Sequence, residues 1–107
     1  EDIHNYKCNV FQYIGELCRY LLAQPPGPFD KSNIRLVIGN GLRPDIWDAF
    51  KTRFNIKQIG EFYGATEGNA GLVNYHNRTG AIGYIPPFAQ RFMPIVLVKF
   101  DVETEEV

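Results

Sequence analysis

The chain has 107 residues, a formal charge of −1 and 45% hydrophobic residues, a composition that describes a soluble, globular chain of one domain at most. Acidic and basic residues are interspersed with no basic stripe to displace counterions, which argues against a nucleic-acid partner. No apolar run approaches the roughly 18 residues that a bilayer span needs, and the two cysteines, Cys8 and Cys18, are too few for a disulfide scaffold and form no C-x-x-C pair.

In chain order, the first expected element is a helix over 10–23. Phe11, Ile14, Leu17, Cys18, Leu21 and Leu22 recur at helical spacing and form one apolar stripe, with Gln12, Glu16 and Arg19 elsewhere on the wheel. Pro25, Pro26 and Pro28 end it and open a surface loop through Asn33. The branched run Ile34-Arg35-Leu36-Val37-Ile38 predicts a strand covered on both faces, broken by Gly39-Asn40-Gly41. Pro44 suits a first helical position and Asp45 the dipole of the helix it starts; Ile46, Trp47, Ala49, Phe50 and Phe54 line its apolar side. Asn55 is suited to a left-handed cap, and 56–62 supplies a second strand. Strand, glycine turn, helix and strand within about thirty residues form a βαβ unit with parallel strands.

Further on, 71–74 reads as a short strand and 80–87 as an extended segment with turns. The run over 95–102 is the clearest late strand, its first four residues apolar and its tail alternating. The fold class is α/β, with the βαβ unit belonging to a mixed, mostly parallel sheet. The first residue is Glu1 and the last five carry three glutamates, so the chain reads as an internal piece of a longer protein.

Parallel strands joined by one helix place their carboxyl ends on one edge, and ligands of open α/β sheets sit beyond that edge. Gly39-Asn40-Gly41 and Tyr63-Gly64-Ala65-Thr66-Glu67 are therefore expected to face one crevice. The second stretch combines a ring that can cover a base, a hydroxyl for a phosphate oxygen and a carboxylate for Mg²⁺. Each feature also has a plainer reading: a tight turn at the glycines, a ring finishing the strand, a threonine cap, a solvated glutamate. The glycines fit neither G-x-G-x-x-G, since Pro44 stands where the third belongs, nor the G-x-x-x-x-G-K-[ST] phosphate loop, which disfavours a dinucleotide dehydrogenase. His4 and His76 have no partner at catalytic or metal spacing. Asn77-Arg78-Thr79 matches a glycosylation sequon, a triplet common by chance.

The run Ile59-Gly60-Glu61-Phe62-Tyr63-Gly64-Ala65-Thr66-Glu67-Gly68-Asn69 resembles the central motif of the very-long-chain acyl-CoA synthetases, or fatty acid transport proteins, of the adenylate-forming superfamily. Tyr13 to Leu21 and Gly39 to Arg43 resemble two further stretches of that family, in the same order, and Gly80-Ala81-Ile82-Gly83 and the late strand also fit. The resemblance implies that residues 1–107 are a partial AMP-binding domain, part of the large N-terminal domain of an adenylate-forming enzyme.

It implies an ATP-dependent fatty acid–CoA ligase, which forms an acyl-adenylate and then passes the acyl group to coenzyme A. Tyr63, with Gly64 and Ala65, would pack on adenine; Thr66 would contact the α-phosphate and Glu67 hold Mg²⁺; Gly39, Asn40, Gly41 and Leu42 would lie against the adenine and the acyl pocket. The family's upstream phosphate loop, its ribose-binding aspartate and its C-terminal domain with a catalytic lysine have no counterpart in these residues. Membrane association with a cytosolic-facing site, at the endoplasmic reticulum, peroxisome or plasma membrane, and a link to fatty acid uptake are implied as well. The alternative is a non-catalytic nucleotide- or lipid-binding transport protein of the same fold.

Overall fold

The computed structural model describes residues 1–68, 70–93, 95–96 and 98–105. The elements are α1 (Asp2–Asn5), β1 (Val10–Ile14), α2 (Gly15–Ala23), β2 (Leu36–Asn40), α3 (Pro44–Arg53), β3 (Gln58–Tyr63), β4 (Leu72–Val73) and α4 (Pro87–Gln90). They build a four-stranded sheet in the order β1-β2-β3-β4, in which β1, β2 and β3 run parallel and β4 is antiparallel to β3. Among the described residues, no helix is long and apolar enough to cross a membrane.

The expected helix over 10–23 divides in two. Val10-Phe11-Gln12-Tyr13-Ile14 is a strand, and the helix begins only at Gly15, with no loop between them. The residues of β1 are mostly branched or aromatic, types that fit a pleated surface. Phe11 and Tyr13 turn toward the core, and Val10, Gln12 and Ile14 turn outward. A second βαβ unit, β1-α2-β2, therefore precedes the expected one. Because α2 and α3 pack against each other, both crossovers cover the same face of the sheet.

The expected β2-α3-β3 unit is present. Helix α3 carries Pro44 at its start and Asp45 in its first turn, with Lys51 and Arg53 in its last, so its charges complement the dipole at both ends. Its end is a Schellman turn. Asn55 adopts φ +54°, its N–H donates to Thr52 O at 3.4 Å, and the Ile56 N–H reaches back to Lys51 O at 3.0 Å. Arg53 then ties the two helices: its guanidinium donates to Leu22 O (2.7 Å), Gln24 O (2.8 Å) and Pro25 O (3.0 Å), and pairs with Asp30 at 2.9 Å. Carbonyls left open at the end of α2 thus find donors on α3.

The core lies between the helices and one sheet face, built from Tyr13, Cys18, Ile34, Val37, Leu42, Trp47, Phe50, Ile56 and Ile59. The register aligns Phe11, Val37 and Ile59 in one row across three strands, and Tyr13, Gly39 and Glu61 in the next row toward the carboxyl edge. On the opposite face Leu36, Ile38 and Phe62 are half-buried and Val10 and Ile14 exposed, so β2 is not covered equally on both sides.

Beyond β3 the chain returns as β4, so the short strand expected over 71–74 is present at Leu72–Val73. Buried Asn74 organises the loop after β4. Its side-chain amide donates to Arg78 O (2.7 Å) and Ala81 O (2.9 Å), and its oxygen accepts the Arg78 N–H (3.3 Å). Asn77 lies against the start of β3, accepting the Ile59 N–H at 3.0 Å and donating to Lys57 O at 3.1 Å. The strand expected over 95–102 does not form among its described residues, apart from an isolated bridge at Asp101. Val96, Val98, Phe100 and Val102 are exposed, without the neighbours that an all-apolar strand requires.

Candidate functional site

At the carboxyl edge of the parallel strands the chain opens a cleft of about 440 Å³. One wall is Asn40, Gly41 and Leu42, where β2 passes into α3; the other is Tyr63 and Gly64, at the end of β3. Gly80 and Ile82 close it from the loop that Asn74 holds. Gly80 has φ +75°, which brings that loop against Pro44, and Thr79 Oγ1 donates to Asp48 of α3 at 3.1 Å. The two turns singled out in the sequence thus meet across one crevice, although more than twenty positions separate Gly41 from Tyr63.

The candidate residues do not all stand in the same relation to it. Tyr63 lies at the rim and is half exposed, its ring available to a flat ligand. Gly39 is buried within β2 and lies outside the lining; a Cβ there would meet the Tyr13 carbonyl oxygen at 2.1 Å and the Tyr13 ring at 2.7 Å. Its smallness serves packing beneath the site. Ala65, Thr66 and Glu67 lie in the 64–71 connection, where the Gly68 N–H donates to Ala65 O at 3.0 Å. Thr66 and Glu67 are exposed and do not line the cleft as it stands.

Three contributors carry no clear mark in the sequence. Arg43 brings a cation to the lining, with its guanidinium 3.1 Å from Asp45. Asn74 sets the closing loop. Glu61 is the most consequential of the three. Within the apolar run it passes for part of a strand, yet its side chain is buried at 2% exposure directly under the cleft. Its carboxylate accepts the Gly41 N–H at 2.5 Å, the Leu42 N–H at 3.2 Å and the Tyr13 hydroxyl. A carboxylate in the middle of a buried strand is the available signal, since acids are rarely buried unless paired.

Burial raises the Tyr13 pKa first, and hydrogen bonding to Glu61 and its charge raise it further, so the phenol keeps its proton and donates it. Below it, burial and then the charge of Glu61 push the Cys18 thiol up to about 12, which leaves it protonated and unreactive. Among the described residues no three His, Cys, Asp or Glu side chains gather as a metal cage.

A mostly parallel sheet whose strand ends open into a cleft between a glycine turn and an aromatic rim defines an α/β protein, with the cleft at the carboxyl edge where ligands of open sheets sit. The AMP-binding enzyme family matches residues 1–98, and the chain belongs to that family. It is 46% identical over 108 residues to human long-chain fatty acid transport protein 1, covering 100% of this chain and 17% of the relative. To human long-chain fatty acid transport protein 3 it is 45% identical over 107 residues, covering 99% of this chain and 16% of the relative. To a medium/long-chain fatty acid–CoA ligase of Mycobacterium tuberculosis it is 44% identical over 105 residues, covering 97% of this chain and 17% of the relative. The chain thus spans about a sixth of the length of these relatives. No solved structure matches it significantly.

Proposed function

We propose that the protein is an ATP-dependent long- or very-long-chain fatty acid–CoA ligase that couples activation to fatty acid uptake, and that these residues form the nucleotide edge of its site. The observation that carries this reading is the convergence of the Asn40–Leu42 turn and Tyr63 on one cleft at the carboxyl edge of the sheet. In the first half-reaction a fatty carboxylate attacks the α-phosphorus of ATP, and pyrophosphate leaves with the displaced electron pair. In the second, the thiol of coenzyme A attacks the acyl carbon and AMP leaves.

Within this scheme Tyr63 covers one face of the adenine and the backbone of Gly41 and Leu42 lies along the other side of the cleft. Thr66 donates to the α-phosphate, and Glu67 holds Mg²⁺, which when bound offsets charge on the phosphates. Both are exposed on the connection beyond Tyr63, where a triphosphate extending out of the cleft would pass. Membrane association, at the endoplasmic reticulum, peroxisome or plasma membrane, belongs to the same proposal; so does the absence of a nucleic-acid partner. The names of two of the relatives support the uptake role.

The test is fatty-acid-dependent exchange of pyrophosphate into ATP by the protein expressed at its full encoded length. Exchange is expected in the wild type, and Glu67→Gln should reduce its kcat by about 100-fold, on the scale of losing one preorganised charge-stabilising group. A wild type that binds nucleotide but catalyses no exchange would favour the non-catalytic transport reading. Unchanged rates in Glu67→Gln would remove the metal role from that residue.

A further inference from the structure

The turn before α3 is a place where an open anion site would be expected. Successive backbone N–H groups in a turn, like those of Gly41 and Leu42 just ahead of the Arg43 cap, can form a concavity that takes an anion. Here the protein fills that position itself. The Gly41 N–H lies 2.5 Å from Glu61 Oε1, and the Leu42 N–H lies 3.2 Å from Oε1 and 3.4 Å from Oε2. Both donors are turned into the protein, so this wall meets a ligand with backbone whose N–H groups are already satisfied.

The carboxylate is itself held. Tyr13, Gly39 and Glu61 are register partners on adjacent parallel strands. Because the middle position is glycine, the Tyr13 ring lies across β2, and its hydroxyl reaches Glu61 two strands away. From the side, Gly15 at the start of α2 packs against the same turn so closely that a Cβ would fall 1.7 Å from Gly41 O. Strands β1 and β3 and the start of α2 thus fix one peptide turn, with Glu61 at the centre.

We propose that Glu61 is a positioning residue for the nucleotide: by holding the Gly41 and Leu42 amides away from the cleft, it shapes that wall for a flat, uncharged ring and denies it to phosphate. This rests on the ligase reading above and deepens it. Glu61 borders the floor of the cleft at 2% exposure, its carboxylate engaged by the turn, and it acts through that turn. Releasing the turn would return two N–H groups to the cleft and blur the fit of the base, while the acyl and thiol ends of the reaction stay as they were.

The experiment uses the protein at its full encoded length, with steady-state exchange kinetics, binding of a fluorescent ATP analogue, and thermal unfolding for each variant. Glu61→Ala should raise the KM for ATP and the Kd of the analogue about tenfold or more, with kcat per active site within about threefold and the KM for fatty acid unchanged. Glu61→Gln keeps an oxygen for the Gly41 N–H and should restore the KM to within about threefold of wild type. Tyr13→Phe, which keeps the ring and removes one donor, should fall between them, and it carries the test with Glu61→Gln if Glu61→Ala does not fold. A KM for ATP unchanged in Tyr13→Phe and Glu61→Ala, with only the amount of active protein reduced, would overturn the proposal. Wild-type exchange together with that result sinks the proposal alone. A wild type that binds the analogue without exchange sinks the ligase reading and leaves the Kd ratios to judge Glu61, whereas a wild type that binds no nucleotide sinks both.

Discussion

Gly39→Ala probes the row on which the cleft stands. The added methyl would lie 2.1 Å from the Tyr13 carbonyl oxygen and 2.7 to 2.8 Å from two atoms of its ring, where ordinary contact begins at 3.4 Å. Neither neighbour is free to give way, since the oxygen belongs to the backbone of β1 and the ring is tethered to Glu61. Relief requires β1 to draw off β2, or the phenol to leave its acceptor. Overpacking costs about 1–3 kcal/mol and loss of a hydrogen bond to a charged group about 1.5–3 kcal/mol, and as either route relieves the clash the expected destabilisation is about 1–3 kcal/mol. That is a large share of the ~5–15 kcal/mol by which domains are stable. Gly60→Ala, one strand over, is the control: its methyl would sit 3.7 Å from Ile38, Leu36 and the Val37 carbonyl. The change there should stay within about 1 kcal/mol and favour alanine, which loses less backbone freedom in a strand. Thermal unfolding of both variants in the same full-length background decides the matter. Equal midpoints would refute the claim that Tyr13 needs an empty position to cross β2.

The same structure sets several other outcomes. Arg53 holds the Asp30 carboxyl below the usual carboxylate range. A depressed folded pKa contributes stability above the unfolded value and loses it as pH falls through the folded one, so the gap between wild type and Asp30→Asn should close in acid below about pH 4. Arg53→Lys, which cannot reproduce the fork to three carbonyls and Asp30, should expose the 24–30 loop to limited proteolysis; unaltered cleavage would contradict the clamp. Alkylation at pH 8 should label half-buried Cys8 and spare Cys18 until the protein unfolds, as mass spectrometry can check. With the Cys18 thiol raised from 9.0 to about 12, folding favours its protonated form, so stability should fall as pH rises past about 9, and Cys18→Ala should flatten that slope. Tyr63→Ala should raise the KM for ATP about tenfold while Tyr63→Phe keeps it, since base stacking needs the ring and not the hydroxyl.

The β2-α3-β3 unit is legible in the sequence because its signals are local and agree: a glycine turn, Pro44 opening the helix, Asn55 closing it. The first strand is not. Phe11, Ile14, Leu17 and Cys18 fit a helical stripe only because β1 runs into α2 without a loop, and Gly15, at the joint, is the one punctuation available. The row Tyr13-Gly39-Glu61 escapes a linear reading for another reason. Its members are more than twenty residues apart and are brought together only by strand register, which periodicity within a single segment cannot supply. Convergence of the two turns on one crevice comes from topology alone. The placement of Thr66 and Glu67 outside that crevice depends on the path of the 64–71 connection, for which no residue pattern gives a measure. The run over 95–102 has the composition of a buried strand, and composition cannot supply the partner it needs.

Asn77 carries one last implication. Both ends of its side-chain amide are engaged by the backbone at the start of β3, with Ile59 on one side and Lys57 on the other. An enzyme attaching a sugar to that nitrogen would first have to peel the residue from the sheet and strip two main-chain groups of their partners. Once folded, the Asn77-Arg78-Thr79 triplet is a fastening for the sheet, closed to glycan transfer.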